Sequence, residues 1–337
     1  MKAFVVTAPH EGEIQEVAEP VARSGEVIVD VHRVGVCGTD VEFWTGEMTY
    51  LHQGHARYPM RLGHEWCGVV SALGDGIDDT WLGRRVTGDT MIGCGRCVRC
   101  LSDRHNVCQD RLEIGIRGGM PGALAEKLAV PAHALFALPD SVDDSAGAMV
   151  EPGGNALRSV WGAELATGDR ALVLGNGTIA LLVAQFARAE GVEVHLMGRS
   201  LASLEFTRSL GFAGVWQQAD LPAVSWDAVI DASNAPTLPA LALDLVEPGK
   251  RVVYIGLAGT PSLIDTRIMA LKDVTAVGIL AASRGLAGTI ERYARGEVDP
   301  RPLIAATVGL ERVGEVLSGW RPPDALGGPK LHIDPRL

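Results

Sequence analysis

Residues 173–187 of this 337-residue chain read VLGNGTIALLVAQFA, an apolar run, a glycine turn and a longer apolar run. This order is typical of a buried strand, a tight turn and a helix. Gly175, Gly177 and Ala180 have the G-x-G-x-x-A spacing, in which glycines let the backbone turn sharply and approach a pyrophosphate at the helix N-terminus. The stretch therefore predicts a dinucleotide site, and its expected contacts are Gly175, Asn176, Gly177, Thr178 and Ile179.

The end of the next strand indicates which dinucleotide is bound. That strand, VEVHLMG at residues 192–198, ends in Gly198 and is followed by Arg199 and Ser200. It lacks the acidic residue that would hydrogen-bond an adenosine ribose 2′-hydroxyl, whereas Arg199 can pair with a 2′-phosphate. We therefore expect NADP(H) in preference to NAD(H), with a merely solvated Arg199 as the alternative. Gly256 ends a later strand and is expected at the same carboxyl edge.

The rest of the chain shows two different patterns of apolar runs and turn residues, which predict two domains. Before about residue 145, short apolar runs alternate with Gly, Pro and Asp turns, as in a β-rich barrel or sandwich. Strands then alternate with helices, which indicates a doubly wound parallel sheet. We expect residues 1–150, completed by 283–337, to form the first domain. Residues 151–282 are expected to form the dinucleotide-binding domain.

Charge and hydropathy exclude several classes of partner. The formal net charge is −11, which argues against nucleic acid because phosphate contacts need clustered Lys and Arg. The first residues lack the pattern of a signal peptide. No apolar run reaches the roughly 18 residues of a membrane span. The expectation is a cytoplasmic protein without membrane or nucleic-acid partners.

Four of the six cysteines lie in one short segment, residues 93–108, GCGRCVRCLSDRHNVC. The C-x2-C-x2-C-x7-C spacing lets one loop surround zinc with four thiolates, and in a cytoplasmic chain it favours metal over disulfides. An iron–sulfur cluster is the alternative, but no second matching cysteine group is present. Four thiolates leave no open coordination position, so the site is expected to be structural. Its ligands would be Cys94, Cys97, Cys100 and Cys108.

A second set of metal-binding residue types is spread over the first 151 residues. Cys37, His64, Glu65 and Glu151 together are the mixed ligand types of an open, catalytic zinc site. Each alone has a plain structural interpretation, such as a core cysteine or a Glu-Pro helix start. Their occurrence beside a dinucleotide fold favours the catalytic one.

The segments GVCGTD (residues 35–40), GHEWCG (63–68), the four-cysteine loop, VEP (150–152) and LGNGTIA (174–180) occur in this order. In this the chain resembles the zinc-dependent medium-chain dehydrogenase/reductase family over essentially its full length. The resemblance implies a GroES-like catalytic domain, formed from the N-terminal part and the C-terminal return, with a Rossmann domain inserted. The active site would lie in the cleft between them.

The resemblance also implies roles for individual residues. Cys37 and His64 would be catalytic zinc ligands, and either Glu65 or Glu151 the third. Asp40 matches the carboxylate that orients the ligand histidine.

Thr39 matches the hydroxyl of the family's proton relay. Glu42 stands where members often have a histidine, so the relay beyond Thr39 is open. Trp44 follows the polyol-dehydrogenase version of the segment. Gly153 and Gly154 replace bulkier residues of many members, which suggests a roomier pocket.

These observations predict a zinc-dependent enzyme that interconverts a secondary alcohol and a ketone with NADP(H). The expected substrate is a sugar, a polyol, or a cyclitol or aminocyclitol. The expected assembly is a homo-oligomer, either a dimer or a tetramer. The alternatives are a non-catalytic or redox-sensing NADP-binding protein and a zinc-free quinone-reductase-like enzyme. Lys330 is expected to be exposed, as most lysines are, or to reach the cofactor pyrophosphate.

Overall fold

The computed structural model describes residues 1–323 and 327–337 and joins a β-rich unit to a parallel sheet flanked by helices. Nine strands come from the first part of the chain: β1 (Lys2–Ala8), β2 (Glu11–Glu16), β3 (Glu26–Gly35), β4 (Glu65–Leu73), β5 (Arg85–Gly88), β6 (Met91–Ile92), β7 (Leu112–Glu113), β8 (Lys127–Pro131) and β9 (Leu135–Ala137). The helices between them are short: α1 (Gly38–Thr45), α2 (Thr49–His52), α3 (Val98–Leu101) and α4 (Asp144–Ala148).

Strands and helices then alternate: α5 (Val150–Ala163), β10 (Arg170–Leu174), α6 (Thr178–Ala189), β11 (Glu193–Met197), α7 (Leu201–Ser209), β12 (Gly214–Trp216), β13 (Trp226–Asp231), α8 (Leu238–Leu245), β14 (Val246–Tyr254), α9 (Thr266–Leu271) and β15 (Thr275–Gly278). The chain closes with α10 (Leu286–Ala294), β16 (Ile304–Val308), α11 (Val313–Leu317) and β17 (Lys330–Ile333).

The main sheet of the β-rich unit has the order β16-β17-β3-β4-β5-β9, with β8 also paired to β3. The last strand, β17, runs antiparallel to β3 and places Ile333 opposite Val34. Side chains alternate between the faces of the sheet, so Trp66 enters the core of this unit while Glu65 faces the other side. The C-terminal strands thus lie in the sheet begun by the N-terminal ones. The domain boundaries at residues 150 and 282 stay a prediction.

The second sheet is parallel throughout, in the order β12-β11-β10-β13-β14-β15. Its chain order reverses between β10 and β13, and ligands of such sheets bind at the carboxyl ends of the strands at that point. Leu172, Leu174 and Phe186 are fully buried, which is why these segments read as continuous apolar runs. The predicted fold class, a GroES-like β-rich unit with a doubly wound Rossmann sheet, is confirmed.

The close approach of α5 to its neighbours explains Gly153 and Gly154. A Cβ atom on Gly153 would lie 2.4 Å from the Tyr293 hydroxyl of α10, and one on Gly154 would lie 2.8 Å from Ala282. The expectation of a roomier pocket was therefore wrong, because neighbouring side chains fill the space that the two glycines leave. Across the described residues, no helix combines the length and apolar character that a membrane crossing requires.

Candidate active site and metal centres

Cys37, His64 and Glu65 meet where β3 ends and β4 begins. Cys37 caps the N-terminus of α1, His64 directly precedes β4, and Glu65 is its first residue. Their candidate ligand atoms all lie within 4.8 Å of one another. Gly35 makes room for this cluster, since a Cβ atom there would lie 2.2 Å from Glu65 Oε2. The antiparallel pairing of β3 with β4 therefore brings together residues that are far apart in sequence.

Asp40 lies directly behind His64. Its carboxylate accepts hydrogen bonds from the backbone N–H groups of Cys37, at 2.9 Å, and Gly63, at 3.1 Å. Asp40 Oδ1 is 3.5 Å from His64 Nδ1, at the limit of hydrogen-bonding distance. Burial opposes ionisation of Asp40, but His64 and the backbone donors outweigh it and lower its pKa. A charged Asp40 can thus hold the ring so that Nε2 faces the cluster.

Lys330 is the residue of this site that the sequence did not reveal. Its side chain is 3% exposed, and Nζ lies 2.5 Å from Glu65 Oε2 and 3.0 Å from the Val36 carbonyl oxygen. Burial alone would lower the pKa of Lys330, but the Glu65 carboxylate raises it. The expectation of an exposed lysine was wrong, because β17 joins β3 and turns Lys330 inward.

Glu151 lies close to this cluster but outside its ligand group. It is in the first turn of α5, is buried, and accepts a 2.9 Å hydrogen bond from Asn155 Nδ2. Burial raises the pKa of Glu151 to about 7, and the charge of Glu65 adds to the effect while His64 opposes it. The geometry therefore favours Glu65 over Glu151 as the third ligand.

Thr39 and Glu42 lie three residues apart on α1 and so share one side of the helix. Thr39 is half-buried beside Cys37. Glu42 is partly buried, and burial, together with the nearby Glu47 carboxylate, raises its pKa. Trp44, by contrast, is buried in the core of the β-rich unit against Phe4.

The four clustered cysteines form a second, self-contained centre. The Sγ atom of Cys97 lies 3.5 Å from that of Cys100 and 3.7 Å from that of Cys108, and those of Cys94 and Cys100 are 3.9 Å apart. A tetrahedral site with Zn–S bonds of about 2.3 Å separates its sulfur atoms by about 3.8 Å. These spacings fit zinc, and all four side chains are free thiols. Backbone N–H groups of Arg96 and Cys97 lower the pKa of Cys94 to about 6.

This cysteine loop is attached to the segment that leaves the second sheet. Asn106 Nδ2 donates to the Leu280 carbonyl oxygen at 3.1 Å. Asp89 links the two parts, since it contacts His105 Nε2 at 2.8 Å and accepts from Ser283 Oγ at 3.0 Å. No pattern in the sequence signals these contacts, because the partners are up to 194 residues apart.

The glycine turn has the geometry of an anion site. Gly175 adopts φ +114°, a conformation that favours glycine. A Cβ atom on Gly177 would meet nothing within 4 Å, so a ligand could approach its backbone freely. Helix α6 starts at Thr178 and Ile179 without a side-chain cap, which leaves its first N–H groups available to an anion.

The residues after β11 lie beside this turn. Asn176 Nδ2 donates to Ser203 Oγ at 2.8 Å in α7, and Arg199 and Ser200 are both exposed. Gln217 Nε2 donates to the Arg199 carbonyl oxygen at 3.0 Å, which fixes the backbone. Among the described residues the Arg199 guanidinium has no ion pair.

Gly198 and Gly256 are placed by packing. A Cβ atom on Gly198 would lie 2.8 Å from the Asn176 side chain, and one on Gly256 would lie 1.7 Å from the Ser233 carbonyl oxygen. Gly256 also donates its N–H to the Asp231 carbonyl oxygen at 2.9 Å. Both glycines lie at the carboxyl edge of the sheet, and their contact with a cofactor stays a prediction.

Comparison with known proteins gives consistent matches. The Alcohol dehydrogenase GroES-like domain profile matches residues 23–140. The chain is 31% identical to the 2-dehydro-3-deoxy-L-galactonate 5-dehydrogenase of Pseudoalteromonas atlantica, over 88% of each protein. A crystal structure described as the short chain alcohol dehydrogenase RspB of Escherichia coli CFT073, complexed with NADH, superposes with a TM-score of 0.90 at 25% identity and 99% coverage of both chains. A Sinorhizobium meliloti protein assigned as a zinc-binding dehydrogenase and bound to NADP gives 0.89 at 26% identity and 99% coverage of both.

Proposed function

This chain belongs to the zinc-dependent medium-chain dehydrogenase/reductase family and is an oxidoreductase, and we propose that it interconverts a secondary alcohol and a ketone with NADP(H) at the Cys37 cluster. The observation that supports this most is the convergence of a thiol, an imidazole and a carboxylate within 4.8 Å. This set fits a catalytic zinc, whose three protein ligands leave one position for substrate. A zinc-free quinone-reductase-like enzyme would not need these three candidate metal ligands.

Each residue of the site has a part in this proposal. Cys37, His64 and Glu65 would hold the metal, which when bound acts as a Lewis acid toward the substrate oxygen. Asp40 holds the His64 ring, and Lys330 occupies one oxygen of Glu65, so that the other remains for the metal.

The proton leaves along α1. The Thr39 hydroxyl accepts the proton of the substrate alcohol and passes its own onward. Glu42 lies on the same side of the helix, and its raised pKa suits a carboxylate that takes up protons reversibly. Glu42 thus replaces the histidine of related proteins.

The proposed substrate class is supported by a named relative and not by Trp44, which is buried in the core of the β-rich unit. The relative from Pseudoalteromonas atlantica is named for a polyhydroxylated acid. We therefore propose that the substrate is a sugar, a polyol, or a cyclitol or aminocyclitol. Hydride would be lost from the carbon that bears the reacting hydroxyl. Solved neighbours are bound to NADH in one case and NADP in another, so the preference for NADP(H) rests on Arg199.

The direct test is absorbance at 340 nm with zinc-loaded protein, NADP⁺ or NAD⁺, and a panel of polyols, aldoses, cyclitols, aminocyclitols and simple alcohols. Reduction of NADP⁺ by one polyhydroxylated class is expected. Turnover of simple alcohols alone would overturn the substrate assignment. Failure of every substrate with both cofactors, in protein shown to bind zinc, would favour a non-catalytic protein.

Replacing Arg199 by aspartate is expected to shift the ratio of kcat/KM for NADP⁺ to that for NAD⁺ by about 100-fold toward NAD⁺. The change removes the charge that would pair with a 2′-phosphate and adds an acceptor for the 2′-hydroxyl. Arg295, which is 66% exposed in its side chain, supplies the control variant Arg295→Asp. An unchanged ratio in Arg199→Asp would show that Arg199 is only solvated.

We also propose that the chain forms a homodimer through the edge of the second sheet. Strand β15 pairs only with β14 within the described part of the chain, and Thr275, Ala276 and Gly278 are exposed. An unpaired edge can join the same edge of a second copy across a two-fold axis. Leu280, which follows the strand, is 39% exposed and would add apolar contact.

Ala276→Lys is expected to convert the dimer to a monomer, because the two-fold axis would bring the introduced ammonium groups together. Light scattering after size-exclusion chromatography gives the mass of each form. A wild-type monomer, or a variant that retains the mass of two chains, would contradict this edge as the interface.

A further inference from the structure

A cavity of about 280 Å³ lies between the β1–β2 hairpin and residues 116–121, apart from the three sites described above. None of the zinc-binding cysteines, His64, Glu65, Lys330 or the glycine turn lines it. Its volume is just below the usual range for small-ligand sites, roughly 300–1,000 Å³, so only a small ligand would fit. Most of the lining is apolar, with contributions from Val5, Val17, Ala56, Met60, Ile116 and Met120.

Two arginines, Arg57 and Arg61, also line this cavity. Arg61 is held in place by its backbone, since its carbonyl oxygen accepts a 2.8 Å hydrogen bond from Gly122 N–H. Its Nε is inaccessible to solvent and has no hydrogen-bond partner. Within residues 1–323 and 327–337, neither arginine forms an ion pair.

The carboxylates of the adjacent hairpin do not compensate for this charge. Glu16 lies 3.5 Å from the N-terminal amine, and Glu13 accepts a hydrogen bond from Gln15. Two other partly buried arginines have carboxylate partners: Arg33 lies 2.7 Å from Asp334 and Arg111 lies 2.8 Å from Glu113.

Arg61 is half-buried and Arg57 is exposed, so the Arg61 charge has lost part of its contact with water without gaining a carboxylate partner. Burial lowers the pKa of Arg61 to about 10, which still leaves the guanidinium charged at neutral pH. The cavity therefore combines a fixed positive charge with apolar walls. A ligand with a negative group attached to an apolar body would complement such a site.

We propose that this cavity binds a small organic carboxylate, with the carboxylate against Arg57 and Arg61 and the hydrocarbon part against the valine and methionine side chains. Guanidinium groups bind carboxylates through two parallel N–H donors, which Arg61 can provide without displacing an existing partner. The inference is independent of the proposed dehydrogenase activity, since no residue is shared.

Benzoate is the probe, with benzamide as its uncharged analogue and inorganic phosphate as an anion without an apolar body. Isothermal titration calorimetry on the full chain is expected to show benzoate binding at least about tenfold more tightly than either. Equal binding of benzamide would remove the role of charge. Equal binding of phosphate would remove the role of the apolar walls. Either result would overturn the proposal.

The variant Arg61→Met locates the binding. It is expected to weaken benzoate binding at least about tenfold and, without benzoate, to raise the melting temperature, because it removes a half-buried charge that has no carboxylate partner in the described chain. Arg57→Gln changes the exposed arginine, keeps the half-buried Arg61, and is expected to weaken binding less. Arg23→Met, at an exposed arginine without an ion pair in the described chain, is the control. If benzoate were held by the catalytic metal instead, the Arg61→Met variant would bind it with the same affinity as the wild type. That result would contradict the proposal.

Discussion

Lys330→Met is expected to lower the free energy of unfolding by about 3–5 kcal/mol, because the Glu65 carboxylate would stay buried without its partner. The two side chains are 3% and 1% exposed, and their charged atoms are 2.5 Å apart. Removing one member of such a pair costs more than the pair itself contributes, since the remaining charge has lost both water and its partner. Urea unfolding followed by tryptophan fluorescence measures the loss, with zinc removed equally from wild type and variants so that no metal compensates the Glu65 carboxylate.

A surface pair provides the matched control. Lys250 Nζ lies 2.7 Å from Asp227 Oδ1, but the two side chains are 41% and 27% exposed. Lys250→Met is therefore expected to cost no more than about 1 kcal/mol. The double variant Lys330→Met/Glu65→Gln should recover most of the loss, because the uncompensated charge is gone. A loss in Lys330→Met no larger than that in Lys250→Met would show that the buried pair matters no more to stability than a surface pair.

Cys37→Ser is expected to lower kcat/KM by at least about 1,000-fold while leaving the fold intact. Loss of a metal that contributes several kcal/mol to charge stabilisation gives this magnitude, since each 1.36 kcal/mol is tenfold in rate. A serine hydroxyl replaces the thiolate poorly as a zinc ligand, yet it is a favourable N-cap residue for α1. The zinc content should fall from two ions per chain to one, while a single cooperative urea transition is retained.

Two further cysteine variants separate metal loss from general damage. Cys67→Ser changes a buried thiol that contacts the Asp144 carbonyl oxygen at 3.1 Å and is outside both ligand groups. It should retain both zinc ions and activity within a few-fold. Cys97→Ser should also lose one zinc ion, but with a large loss of stability, because the cysteine loop closes around its metal. Full activity in Cys37→Ser would exclude a catalytic metal at this cluster.

Features set by neighbouring residues could be predicted from the sequence alone. The glycine turn at Gly175 and Gly177 is encoded in a few consecutive positions, because strand, turn and helix each have a local signature. The cysteine loop is equally local, since four thiolates within residues 94–108 can reach one metal whatever the rest of the chain does. The order of the longer segments along the chain is by itself sufficient to indicate the family.

Only the tertiary structure determined which distant residues meet. Lys330 reaches Glu65 across 265 positions because β17 pairs with β3, and a shift of one residue in that register would turn the lysine to the opposite face. Arg61 without an acidic partner likewise depends on how a hairpin and a loop pack. The spacing of neighbouring residues does not determine strand register, nor which charges remain unpaired after packing. These features could therefore be identified only in the folded structure.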